Sequence, residues 1–451
     1  MSKLFGTDSA RGITVAGLSC ELAMQAGKAA AELLVKEQGE KIIVAKDKTL
    51  SSDVLEAAVC AGICSSGIDA ETIGAVPAAA ASYIVKEHKA AAGIMITEAA
   101  GSEDSSGIRI FGRSGLRLSE AAQQEVENYV FGFHEEAEKR FDGIGKMLNC
   151  SSAADEYMEH IKSAVKTDLG GLKIAVDCGR SSAGITAERL FSELGAEVVM
   201  LPENPAGEES DFAPDITNLE RLMEFVADGD CCCGLAIDGD GGSCLAVDEN
   251  GMLVDGDSLL AIFSKFYKEQ GWLKENTAVI SIMSSLGLVN FAKENGINVV
   301  TSGGWGRSVI DRMIEGGYNL GGGQSGHIFF TDDSACDDGQ LCGARLLEIM
   351  KITGKKLSEL AAEMKRLPQI SLNVRISDSS REVWKNDGEI TGFIESFETA
   401  LGSEGRIIVR EGGENGSFIR VMIEGNDFGR INSMAMEIAR KIKERCALRE
   451  G

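Results

Sequence analysis

The sequence predicts a chain of three similar α/β domains closed by a smaller α+β domain, and three observations predict it. Its 451 residues exceed what one hydrophobic core organises, so domains of roughly 100–150 residues are expected. Short β-branched or apolar runs ending in Gly or Asp recur between helical patterns. After about residue 370 that alternation gives way to a different pattern.

The runs are Lys41 to Asp47, Gly93 to Thr97, Leu172 to Cys178, Cys233 to Asp238, Ala278 to Ser281 and Ile297 to Thr301. Their segments read as variations on one βα theme, with boundaries near 153, 256 and 369. The expected domains are therefore 1–153, 154–256, 257–369 and 370–451. In the last, Ile370 to Ile376 alternates like a half-buried strand and a polar helical stretch follows. Two further strands, Arg406 to Arg410 and Ser417 to Ile423, precede a helix from about Asp427. Sheets of this kind carry their ligand loops at strand ends, so chemistry is expected just after these runs.

Composition narrows the partners. Lys+Arg 45 against Asp+Glu 70 gives a net charge of −25, a field that disfavours nucleic acid and anionic membranes. No run approaches the roughly 18 apolar residues that span a bilayer, and the opening MSKLFGTDSARG has no apolar signal core. The 12 cysteines lack paired CxxC spacing and lie mostly in apolar segments, which fits free thiols in a reducing cytoplasm. Alternate residues of a strand face opposite ways, so Cys231-Cys232-Cys233 reads as buried small side chains rather than a metal site.

Four loops stand out. Gly93-Ile94-Met95-Ile96-Thr97 runs into EAAGSEDSSGIR, ending at Arg109; Ile237 leads into Asp238-Gly239-Asp240-Gly241-Gly242-Ser243. Gly321-Gly322-Gly323 precedes Gln324-Ser325-Gly326-His327, and Arg410 to Arg420 encloses a Gly- and Glu-rich stretch. On residues alone, Asp238 and Asp240 read as holders of a Gly-rich turn or a helix cap. Likewise His327 reads as a hydrogen-bonded turn residue, Ser102, Ser105 and Ser106 as loop-forming serines, and Arg410 and Arg420 as partners in local ion pairs.

In order and spacing these loops, with the opening Phe5-Gly6-Thr7-Asp8 and Arg11-Gly12, resemble the α-D-phosphohexomutases, nearest to the bacterial phosphoglucosamine mutases. The resemblance runs from residue 4 to about 440 and implies four domains around a central cleft. It further implies a serine nucleophile in an ASHNP loop, a DGDADR loop for Mg2+, a GGEQSGH sugar loop and an RPSGTEP phosphate loop. Catalysis in the family moves a phosphoryl group between that serine and the sugar.

This chain departs from the pattern at each loop. Ala99 stands at the serine position, with Ser102, Ser105 and Ser106 as substitute acceptors and Arg11 and Arg109 as retained basic groups. Asp238 and Asp240 match two metal ligands while Gly242 replaces the third; with so small a ligand set, Mg2+ is expected to bind weakly if at all. Gln324, Ser325 and His327 match the sugar loop, and Arg410 and Arg420 the phosphate loop, where Glu411 and Glu414 would repel a dianion. The resemblance implies a mutase-like protein that is inactive or impaired, taking no cofactor and serving a regulatory or binding role in amino-sugar or cell-wall precursor metabolism. Its alternatives are an altered but active glucosamine phosphate mutase and a sensor of unphosphorylated sugars. The partners it suggests are a sugar or sugar phosphate, a second copy of the chain, an active mutase or a cell-wall precursor enzyme.

Overall fold

The computed structural model describes residues 13–14, 18–49, 51–98, 106–132, 141–202, 216–303, 307–376, 381–412 and 418–447. They divide into two compact units, one of residues 1–283 and 295–363, the other of residues 284–294 and 364–451.

The first unit holds three sheets in chain order. Strands β1 (Ile13–Thr14), β2 (Lys41–Lys46), β3 (Asp69–Ala75), β4 (Ala92–Glu98), β5 (Ser106–Gly112) and β6 (Met147–Asn149) form the first, ordered β1-β5-β4-β2-β3-β6. Its centre is parallel, whereas β4 and β5 pair antiparallel from Ala92↔Gly112 to Glu98↔Ser106. The two-residue period sorts its faces. Ile42, Val44, Ile94 and Ile96 join the core made with α1 (Cys20–Leu34) and α2 (Ser52–Ser65). On the other face Gly93 lies against Val85 of α3 (Ala78–Glu87), close enough that a Cβ would meet Val85 Cγ2 at 2.3 Å. Helices α1 and α2 pack backbone to backbone because two glycines permit it. A Cβ on Gly27 would sit 2.3 Å from the Val59 carbonyl oxygen, and one on Gly62 2.0 Å from that of Met24. Helix α4 (Glu120–Val130) completes this layer.

After α5 (Ala153–Ala164) comes the second sheet, β11-β10-β9-β7-β8, from β7 (Lys173–Asp177), β8 (Glu197–Met200), β9 (Cys233–Ile237), β10 (Cys244–Asp248) and β11 (Leu253–Val254). Helices α6 (Ala187–Glu193) and α7 (Ile216–Asp228) connect its parallel strands, and β9 and β10 form an antiparallel hairpin closed at Ile237↔Cys244. Helix α8 (Gly256–Glu269) leads to the third sheet, β13-β12-β14-β15: β12 (Thr277–Ser281), β13 (Asn298–Ser302), β14 (Leu320–Gly322) and β15 (Ile328–Phe330).

The second unit is assembled from two stretches of chain. Its own part of the β12–β13 connection is α9 (Leu286–Glu294). In the first unit, α10 (Arg307–Gly316) precedes β14, and α11 (Gly339–Thr353) and α12 (Leu357–Ala361) follow β15. The second unit then continues with an antiparallel sheet, β16 (Gln369–Arg375), β17 (Gly405–Gly412) and β18 (Phe418–Gly425), ordered β16-β18-β17. Helices α13 (Arg381–Asn386), α14 (Gly388–Leu401) and α15 (Phe428–Ala447) accompany it, and Ile419, Val421 and Ile423 meet Ile431, Ile438 and Ile442 in its core. The Glu424 carboxylate, fully buried, accepts from Leu286 N–H and Arg406 Nε, both at 2.9 Å, so α9 belongs to this unit by hydrogen bonding.

Every strand expected from the sequence is a strand within a residue or two of its expected ends, and the terminal helix begins at Phe428. Among the described residues no helix is long and apolar enough to cross a membrane. Of the twelve cysteines all but Cys20, Cys150 and Cys232 are buried, and all are free thiols.

Candidate functional site

Loops from the three sheets of the first unit converge on one cluster of charges. The β9–β10 hairpin needs a tight turn at Asp238–Ser243, and both aspartates hold it: Asp240 Oδ1 accepts from Gly242 N–H and Asp238 Oδ1 from Ser243 N–H, each at 2.9 Å. Gly241 takes φ +77°, a conformation glycine adopts without strain. The turn is then engaged from the first sheet. Arg109, on β5 and only 4% exposed, places Nη2 2.5 Å from Asp240 Oδ2, while Ala78 N–H donates to the Asp240 backbone carbonyl at 3.1 Å.

The third sheet supplies the other side. The short β14–β15 hairpin turns through Gly326 at φ +88°, where a Cβ would lie 2.5 Å from the Cys244 carbonyl oxygen. That close approach bridges His327 to Ser243. His327 Nδ1–H donates to Asp337 Oδ2 at 2.7 Å, and Arg117, just beyond β5, lies 3.5 Å from Asp337 Oδ1. Next to it Asp338 caps α11, accepting from Gln340 and Leu341 N–H at 3.0 Å and from the Tyr157 hydroxyl at 2.9 Å.

The electrostatics follow from burial and pairing. Burial, with the Asp240 charge beside it, pushes the Asp238 carboxyl up to about 7. Burial opposes ionisation of Asp240 too, but Arg109 and then Arg117 and His327 outweigh it and hold it well below the usual carboxylate range. Asp337 is likewise held low against burial, by Arg117 and His327. Burial works against the charge of His327, yet Asp337 raises its pKa. Burial also lifts Asp338, to about 6.

A Mg2+ ion needs several free oxygens at short range. Here the Asp240 oxygens are taken by Arg109 and Gly242 N–H, an oxygen of Asp238 by Ser243 N–H, and those of Asp337 face His327 and Arg117. A Cβ at Gly242 would stand 2.9 Å from Asp240 Oδ1 and 3.0 Å from Asp337 Oδ2, so Asp337 occupies the space a third ligand at 242 would use. As arranged, these residues do not fit the ion.

Of the residues expected at the site, Asp238, Asp240, Arg109 and His327 are brought together. Gln324 and Ser325 are half-buried on the β14–β15 connection. In the second unit Arg410 and Arg420 face each other across β17 and β18, with Arg420 Nε 3.1 Å from Asn373 Oδ1 and its guanidinium 5.3 Å from the Phe418 ring. Glu411 is paired with Lys385 at 2.9 Å. Arg11, Ala99, Ser102, Ser105 and Glu414 lie outside the described residues, as does the side chain of Ser106 at the start of β5. Sequence reasoning missed Arg117 and Asp337. The signal available for Asp337 was its place in the Asp337-Asp338 pair of acids that precedes α11.

Three successive α/β sheets with an antiparallel-sheet domain after them, and strand-end loops meeting at an acidic turn, make this a protein of phosphohexomutase architecture. Models of phosphoglucomutase/phosphomannomutase α/β/α domains I, II and III match residues 2–136, 155–251 and 255–367. The chain is 39% identical over 448 residues to the phosphoglucosamine mutase of Acetivibrio thermocellus, covering 99% of this chain and 100% of that one. It is 38% identical to that of Clostridium novyi over 455 residues, 99% of each. It belongs to the phosphoglucomutase/phosphomannomutase family, on the phosphoglucosamine mutase side. The fold is also similar to a family protein from Burkholderia thailandensis, at TM-score 0.79 and 22% identity over 96% of this chain and 97% of that one. For Aspergillus fumigatus N-acetylphosphoglucosamine mutase, solved with GlcNAc-6P and magnesium, the TM-score is 0.68 at 13% identity, over 98% and 96% of the two chains.

Proposed function

We propose that this chain is a phosphoglucosamine mutase-like protein that does not transfer phosphoryl groups at an enzymatic rate and serves a regulatory or binding role in cytoplasmic amino-sugar metabolism. The Arg109–Asp240 ion pair carries this reading: a protein guanidinium sits on the carboxylate that the family's metal loop would offer to Mg2+. Two sequence features support it. Alanine at 99 has no oxygen to accept a phosphoryl group, and Gly242 contributes no ligand. A sugar is the ligand favoured by Gln324, Ser325 and His327, with a second copy, an active mutase or a cell-wall precursor enzyme as the partner.

A second reading is favoured by identity of 38–39% along the whole chain to proteins named phosphoglucosamine mutase. In it, glucosamine 6-phosphate and 1-phosphate are interconverted through Ser102, Ser105 or Ser106. Phosphorus NMR of both phosphosugars with purified protein, Mg2+ and hexose 1,6-bisphosphate, beside Ala99→Ser, separates the two. The first reading expects no turnover in either protein; turnover of wild-type near the usual ~1 to 10³ s⁻¹ would refute it and establish the second.

A further inference from the structure

Away from that cluster, a histidine, a cysteine and a glutamate from three segments of the first unit converge. His88 ends α3, Cys150 follows β6 and Glu156 lies in the first turn of α5. One ligand atom from each lies within 4.8 Å of the other two, and no other such group occurs among the described residues. We propose that His88, Cys150 and Glu156 form a three-ligand site for Zn2+, with a fourth position open to water.

The hydrogen bonding around His88 leads there. Its Nδ1 faces Glu71 Oε2 at 3.3 Å, and Glu71 is itself fixed by Lys41 at 2.6 Å. A carboxylate on one ring nitrogen is the outer-shell partner that commits the other to a metal. With the proton on Nδ1, the Nε2 lone pair points at Glu156 Oε2, 2.8 Å away. Two electron-rich atoms at that distance need a positive charge between them, either a second proton on the ring or a cation.

The chemistry of the set selects the ion. Thiolate, imidazole and carboxylate together suit Zn2+, and the two anions neutralise its charge. The Cys150 thiol gives up its proton to solvent on binding. Bond lengths of about 2.0–2.3 Å separate tetrahedral ligands by roughly 3.3–3.7 Å. The His88–Glu156 gap must therefore open by about half an ångström, and the Glu156 side chain, 34% exposed, has room to do so. The frame is otherwise set: Cys150 N–H donates to Thr72 on β3 at 2.9 Å, and the Ser152 hydroxyl donates to Glu156 Oε1 at 2.6 Å. An ion here would tie α5 to the first sheet.

Titration of the full-length, metal-stripped protein with Co2+ as a spectroscopic stand-in tests this. One equivalent is expected to bind with a thiolate-to-cobalt charge-transfer band, and Zn2+ should displace it and raise the thermal midpoint. Cys150→Ser and His88→Gln should each abolish the band, and Glu71→Gln should weaken binding about 10- to 100-fold. In chelator all three variants should melt as cooperatively as wild-type. Absence of stoichiometric binding would overturn the proposal and leave His88 simply hydrogen-bonded between Glu71 and Glu156. A band that survives Cys150→Ser would also overturn it, by moving the metal to Cys20 or Cys232.

Discussion

Arg109 and Asp240 show how one residue redirects the chemistry of another. Removing one partner of a buried pair leaves an uncompensated charge, so Arg109→Ala should lower stability by about 3–5 kcal/mol and Arg109→Lys by less, as read from thermal midpoints. The same cluster sets a pH dependence. Asp238 has a folded pKa of about 7, above its ordinary 3.8, so its contribution is full below about pH 4 and lost as pH rises through about 7. His327, also raised, acts in the same direction. Asp240 and Asp337, both lowered, contribute above about pH 4 and lose that on acidification. The stability this cluster contributes should therefore peak near pH 4 and decline from there to about pH 7, with Asp338, also raised, adding to the decline. Asp238→Asn should flatten the decline on the alkaline side and spare the acid side; a melt series in which it changes neither would contradict the assignment.

At the scale of elements, the α1–α2 contact rests on glycine. With the Met24 carbonyl 2.0 Å from where its Cβ would be, Gly62→Ala must push the helices apart, at a cost of about 1–3 kcal/mol visible in the melting temperature. Gly388→Ala, at an open position with nothing within 4 Å, should change stability by less than about 0.5 kcal/mol. In the second unit Glu424 joins β18 to α9. Glu424→Ala should speed amide exchange across Leu286–Glu294 and leave β12 and β13 unaffected; unchanged α9 protection would mean that apolar packing alone holds the helix.

For the whole molecule, the groups that surround the Asp238–Ser243 turn come from parts far apart in sequence. Gly242→Asp by itself would drive a carboxylate against Asp240 and Asp337 and should destabilise the protein without producing Mg2+ binding. Calorimetric Mg2+ binding should emerge only when that change is combined with Asp337→Ala and Arg109→Lys. Binding by the single variant would show that the cluster rearranges more easily than its buried ion pairs imply.

How much of this was legible beforehand divides along the range of the interactions. Local patterning determined the strands: Lys41 to Asp47 and Leu172 to Cys178 are short apolar runs with glycine or aspartate stops, and they form β2 and β7 within a residue of those ends. It also determined the hairpin turn at Asp238–Ser243, because aspartate and glycine carry their turn preferences within a few residues. Only the tertiary structure decided what those aspartates face. Arg109 meets Asp240 across 131 positions of sequence, and Asp337 fills the space beside Gly242 from the connection between β15 and α11. His88, Cys150 and Glu156 converge from three segments in the same way. A turn is specified by its own residues, whereas a buried charge takes its partner from whatever the fold brings near, and no local pattern encodes that.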